Sequence, residues 1–341
     1  MQTSLKTQPI QPIGDTPLLP GTLKNLFYPP EKNEYTYFAR AEEKPFLKAS
    51  TLVRGAWAAD AAMLAYARYG ATPMPISDFT GHLARAQLSV LNLIGDWKAS
   101  GTQGYFAAND RYAILSFRGT EADDKVKQFD DVDIVLVHEP DYRPVPGHPQ
   151  SFLAHLSLVE HLFSAPCFVH QGFQRALNSV WDEVHGCVTT YRQSHPEGEV
   201  CFTGHSLGAA LAVLAFSRLA DSNASLLTFG CPRVGNDAFQ KRVLSQPGKG
   251  IVRYVNLNDP VAHVPLESFF YRQVPEVCLR IDAKGNLAED DGSFVGDARS
   301  LAASIEGLPQ DLSDGLDKID APVGVVDHSP ARYCIRLWNC V

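Results

Sequence analysis

The sequence predicts an α/β fold, a mostly parallel sheet flanked by helices with inserted segments. Three observations predict it. Short apolar runs with strand character alternate with longer helical patterns, the arrangement that builds parallel sheets. One of those runs, Glu199 to Thr203, enters the helical stretch Leu207 to Ala220 through a glycine-containing turn. And two segments, 139–166 and 266–326, break the alternation and read as insertions.

Taken in order, the first forty-odd residues are rich in Pro, Lys and Glu and read as a loose arm over 1–45, preceding one domain over 46–341. Leu52 to Tyr69 carries alanines and apolar residues at helical spacing (Trp57, Ala58, Ala61, Ala62, Leu64, Ala65), with Gly70 as a stop. A second helical pattern covers about His82 to Trp97. The period then changes, and Gln103 to Ala108 and Arg111 to Phe117 read as strands around Asn109-Asp110. A helix is expected near Phe173 to Ser194, then strand Glu199 to Thr203, helix Leu207 to Ala220, and strands Ser225 to Phe229 and Ile251 to Asn256. The first insertion contains SFLAHLSLVEHLF, where Phe152, Leu156, Val159 and Phe163 share a helical face, a pattern that fits a lid or a core helix equally.

Composition excludes several classes. The chain has 341 residues, 45% hydrophobic and 20% charged, with a formal net charge of −8 and no basic run, so nucleic acid is not an expected partner. No stretch of some 18 apolar residues appears, so no transmembrane segment is expected. The opening residues lack an apolar leader. Seven cysteines without CxxC pairs favour reduced thiols and a cytoplasmic location, with export by a signal-independent route and a Cys334–Cys340 bridge as alternatives. No cluster has metal-ligand spacing, so no metal is expected.

The chemistry concentrates in Gly204-His205-Ser206-Leu207-Gly208. A G-x-S-x-G turn between an apolar strand and an apolar helix puts a strained serine at its tip, where the helix N-terminus faces developing negative charge. Ser206 is the candidate nucleophile and the Leu207 N–H an oxyanion donor. In such folds an acid and then a histidine follow the serine along the chain. Asp259 ends the strand Ile251 to Asn256 and opens a loop, the edge where sites of open parallel sheets gather. Only His263 and His328 lie beyond it. His328, delivered by a late loop before Tyr333 to Trp338, is the preferred base; His263, four residues past Asp259, is the alternative. The strand Ala113 to Phe117 runs into Arg118-Gly119-Thr120, and Thr120 is the second oxyanion donor.

Together these motifs resemble the class 3 lipases, the family that includes the fungal triacylglycerol lipases. Phe117-Arg118-Gly119-Thr120 is similar to that family's oxyanion strand and loop, and Val169-His170-Gln171-Gly172-Phe173 to its V-H-x-G-F. Gly204 to Gly208 is similar to its G-H-S-L-G, and Thr228 to Asn236 to its T-F-G-x-P-R-V-G-N. Asp259-Pro260-Val261 and Asp327-His328 fit its acid and base. The resemblance runs from about Leu52 to Trp338. It implies an α/β-hydrolase fold, a Ser206–Asp259–His328 triad, no cofactor, and a mobile lid over an apolar cleft. The stretches from Thr120 to Val169 and from Asp259 to His328 are longer than the family pattern. The expected function is hydrolysis of acyl or lipid esters through an acyl-enzyme, as a triacylglycerol lipase or carboxylesterase, with a lipid–water interface as an expected setting. Phospholipase A1 or non-lipid esterase activity is the nearest alternative, and an inactive interaction scaffold the alternative from another class.

Overall fold

The computed structural model describes residues 17–22, 35–47, 49–67, 74–95, 101–119, 135–140, 166–265, 269–274, 278–282, 286–289 and 325–341. Its elements are α1 (Thr51–Leu64), α2 (Ile76–Arg85), β1 (Ser89–Ile94), β2 (Gly104–Ala108), β3 (Tyr112–Phe117), β4 (Leu136–His138), β5 (Phe168–His170), α3 (Gln171–Asn178), α4 (Trp181–Ser194), β6 (Glu199–His205), α5 (Leu207–Leu219), β7 (Ala224–Phe229), α6 (Asp237–Leu244), β8 (Gly250–Asn256), β9 (Cys278–Ile281), β10 (Leu287–Glu289) and α7 (Pro330–Asn339). One-turn 3-10 segments cover Val261–His263 and Val325–His328.

Among the described residues eight strands form one sheet in the order β1-β2-β3-β6-β7-β8-β9-β10. The middle of it, from β3 to β9, is parallel, and both margins are antiparallel. Strands β2, β3, β6 and β7 are buried along their whole length, which is why they read as apolar runs rather than as alternating patterns. The C-terminal ends of β3, β6 and β7 lie level: Phe117 stands opposite Gly204, and His205 opposite Phe229. Whatever follows these strands therefore meets at one edge.

Helices cover both faces. On one, α1 lies across β3, β6 and β7, with α7 packed on its outer side. Its residues from Gly55 to Leu64 are all buried, so its apolar pattern runs right around the helix. On the other face α5 lies between the sheet and α3, α4 and α6, again buried from Gly208 to Arg218. Each fully buried Leu, Val or Phe in these layers contributes about 1.5–3 kcal/mol.

Several local expectations change. The helical pattern over His82 to Trp97 divides: α2 ends at Arg85, and Ser89–Ile94 is an edge strand paired antiparallel with β2, with an irregularity between Val90 and Asn92. Pairing with a hairpin edge, a tertiary contact, overrides the local pattern. The helix expected near Phe173 to Ser194 is two helices separated at Ser179-Val180. The expected arm over 1–45 contributes to the core in its last part, where Tyr35, Tyr37 and Phe38 are buried beside Phe46 and Trp57. No disulfide joins any of the seven cysteines; Cys334 lies within α7 and Cys340 just past its end. No helix among the described residues is long and apolar enough to cross a membrane.

The first insertion leaves the body through β4 and re-enters through β5, and these two strands pair antiparallel as a stem. Glu139, at the stem, is fully buried and forms an ion pair with Arg218 of α5 at 2.7 Å. The candidate lid helix within it, Ser151 to Phe163, lies outside the described residues.

Candidate active site

Ser206 sits between β6 and α5 with φ 58° and ψ −130°, in the left-handed half of backbone space that a non-glycine residue rarely adopts. Strand and helix have to come very close for that turn. A Cβ on Gly208 would stand 2.2 Å from the Phe117 carbonyl oxygen, so only glycine lets α5 begin against β3. The Leu207 N–H belongs to the first turn of α5, whose leading N–H groups have no intrahelical acceptor. It is therefore placed as a donor to negative charge at Ser206. The backbone of Gly119 lies against the same residue: a Cβ there would stand 3.1 Å from Ser206 Cβ. Thr120, the other expected donor, lies outside the described residues.

Asp259 follows β8 and is fully buried. Its carboxylate faces His328 Nδ1 at 2.8 Å and 3.0 Å. It also accepts from the Tyr333 hydroxyl at 2.6 Å and from the Val261 N–H at 2.9 Å. Burial acts first and raises the pKa, but the His328 charge and the bonds from His328 and Tyr333 outweigh it and hold the group down at about 2. A carboxylate only accepts, so His328 Nδ1 carries the proton and Nε2 is left as the basic nitrogen. Gly230 makes this pairing possible: at φ +54°, a Cβ on it would meet Asp259 Oδ2 at 2.6 Å and the His328 ring at 2.9 Å.

The loop carrying His328 is tied to the nucleophile's neighbour. His205 Nε2 donates to the His328 carbonyl at 2.7 Å, and the two rings lie 4.4 Å apart. Because a carbonyl only accepts, His205 carries its proton on Nε2, and its Nδ1 accepts from Tyr66 Oη at 2.9 Å. Burial, then the nearby His328, lower the His205 pKa well below the usual imidazole value, so it stays neutral. Asn256 Nδ2 donates to the Asp327 carbonyl at 2.8 Å, the second tie on the same loop. His263 goes elsewhere. It closes the turn after Asp259, is buried, and its carbonyl accepts from Arg233 Nη1.

Asp259 and His328 are thus brought together, in contact with the residue next to Ser206. Tyr333, His205 and Tyr66 serve this arrangement without having been picked out from the sequence. Their spacing carried no signal, since each acts through a partner at least 74 residues away.

Comparison with known proteins points to lipases. Residues 114–269 match the family described as Lipase (class 3). A lipase from Rhizopus niveus is 32% identical over 179 residues, covering 50% of this chain and 39% of that protein. A secreted mono- and diacylglycerol lipase 1 from Fusarium solani is 37% identical over 118 residues, covering 34% of this chain and 35% of that one. The chain thus spans well under half the length of these two relatives. The solved structure of lipase II from Rhizopus niveus superposes with a TM-score of 0.52 at 27% identity, over 71% of this chain and 86% of that one. The fold is accordingly that of the α/β-hydrolases. The cytoplasmic location expected above does not stand, because relatives in this set are named as secreted. With the motifs in order, the sheet topology and these relatives in agreement, the chain is similar to the class 3 lipase family over residues 114–269.

Proposed function

We propose that this protein hydrolyses carboxylic esters of acyl lipids, with Ser206 as nucleophile, His328 as general base and Asp259 as its partner. The observation that carries the reading is the buried Asp259–His328 pair at 2.8 Å, tied through His205 to the strained Ser206 turn. His328 Nε2 takes the Ser206 hydroxyl proton as Oγ attacks the ester carbonyl. Asp259 stabilises the imidazolium that forms. The Leu207 N–H, with the Thr120 N–H, binds the oxyanion. The proton passes to the leaving alcohol, an acyl-Ser206 ester remains, and water, activated by the same imidazole, releases the carboxylic acid. None of these steps needs a group from outside the chain other than water.

Mono- and diacylglycerols, the substrates in the Fusarium protein's name, are the first esters to test, and an extracellular setting is proposed on the same ground. The test is Ser206→Ala, assayed on p-nitrophenyl butyrate and on a diacylglycerol emulsion alongside labelling by a serine-directed phosphonate. A fall of about 10⁶-fold with loss of labelling is expected. Activity within tenfold of the parent refutes the assignment.

A further inference from the structure

Tertiary packing places a second buried carboxylate behind the Asp259–His328 pair, and the proposed reaction makes no use of it. Asp60, in the middle of α1, is fully buried. Its Oδ1 accepts from the Tyr35 hydroxyl at 2.5 Å. Its Oδ2 accepts from the Phe38 N–H at 2.6 Å and from Trp338 Nε1 at 3.0 Å. The Cys334 thiol is a fourth donor. Two of the four, Cys334 and Trp338, belong to α7 and are separated by one helical turn. They therefore share a helix face directed at α1.

The neighbouring residue on α7, Tyr333, turns the other way and donates to Asp259, and it accepts from the Asn256 N–H at 3.0 Å. His328 stands two residues before the first residue of the same helix. Helix α7 is therefore held between two buried carboxylates, one on α1 and one beside the base. Shifting it by a fraction of an ångström moves the Tyr333 hydroxyl and the His328 loop together.

We propose that Asp60 is a positioning residue for the reaction, gathering Tyr35, Phe38, Cys334 and Trp338 so that α7 holds Tyr333 and His328 against Asp259. This rests on the ester-hydrolase reading of Ser206, Asp259 and His328. Its chemistry explains why a carboxylate occupies the site. Each of its two oxygens has two lone-pair directions, and four donors converge on them from two separate segments. An amide at the same place presents two N–H groups to those donors and leaves them opposed. No apolar side chain accepts from any of them. The groups facing the carboxylate are Tyr35 and Tyr37 from the N-terminal segment, Tyr105 from β2 and Cys334 from α7. Burial raises all four above their ordinary values, so they remain neutral around it.

The test compares Asp60→Asn, Tyr333→Phe, their double variant and Trp338→Phe with the parent on p-nitrophenyl butyrate. Each is checked for a cooperative thermal transition. Asp60→Asn is expected to lower kcat about tenfold with KM within twofold, a loss of alignment at an intact binding cleft. The double variant should fall no further than the worse single, because both changes release the same helix. Trp338→Phe, which keeps the ring and removes one donor, should lower kcat two- to threefold. A folded Asp60→Asn protein with parental kcat overturns the proposal, as does one whose loss lies in KM or adds in full to that of Tyr333→Phe. Should Asp60→Asn fail to fold, parental kcat in Trp338→Phe overturns it. Phosphonate labelling separates this from the underlying reading: a parent enzyme not labelled at Ser206 defeats the hydrolase assignment, whereas a labelled parent with an unaffected Asp60→Asn variant defeats only the role of Asp60.

Discussion

Asp259 and Asp60 are the same residue type, equally buried, and both linked to α7, yet their surroundings drive them in opposite directions. Burial raises the pKa of each. At Asp259 the positive charge available on His328, with donation from His328 and Tyr333, reverses that effect and holds the group at about 2. At Asp60 burial dominates. The donors Tyr35, Phe38, Trp338 and Cys334 oppose it without any cation, and the group is raised to about 7. The contrast shows what an interior charge requires. Neutral donors reduce the cost of a buried carboxylate, but an ionisable partner of opposite sign is what keeps it charged across the working pH range. An acid that must stabilise an imidazolium needs the second environment, and a residue that gathers donors can function in the first.

The sharpest way to break this contrast is through the histidine. His328→Ala should lower kcat by about 10⁶-fold, and His263→Ala should stay within a few-fold, since the Asp259 carboxylate pairs with His328. Steady-state kinetics on a soluble ester decides it, and a dead His263 variant with an active His328 variant would transfer the base assignment to His263. Asp259→Asn comes next, at about 10⁴-fold, because an amide opposite Nδ1 favours the wrong tautomer. Its folded state should survive, as a cooperative thermal transition will show.

Tyr333→Phe is expected to be milder. It removes one hydrogen bond to a charged acceptor, about 1.5–3 kcal/mol, and a fraction of that should appear as a several-fold drop in kcat. Parental kcat in a folded Tyr333→Phe protein would show that His328 alone secures the carboxylate.

The smallest effects lie in stability against pH, where the two carboxylates have opposite signs. Asp259 is depressed below its unfolded value, so its contribution is present above about pH 4 and is lost as pH falls through the folded value near 2. Asp60 is raised, so its contribution is full below about pH 4 and is lost as pH rises to about 7. Melting curves from pH 4 to 8 should therefore show a decline in the parent that flattens in Asp60→Asn and persists in Asp259→Asn. Equal slopes in all three proteins would remove the distinction between the two sites.

The sequence by itself determined the parts of this protein that are set locally. The turn at Ser206 needs a short apolar strand, small residues and an apolar helix within some twenty positions, and all of these are contiguous from Glu199 to Ala220. Asp259 was legible for the same reason, as the polar end of the apolar strand β8. Tertiary structure alone decided the rest. Ser89–Ile94 is a strand because β2 offers it an edge, and the last part of the expected arm is core because α1 and α7 bury it. His328 rather than His263 faces Asp259 because His205 and Asn256 fix the late loop. Tyr333 and Asp60 gain their roles from donors and acceptors that lie 74 and 278 residues apart in the chain. Periodicity records which face of an element is apolar. It carries no record of which distant partner that face will meet, and hydrogen-bond geometry exists only once the partner is in place.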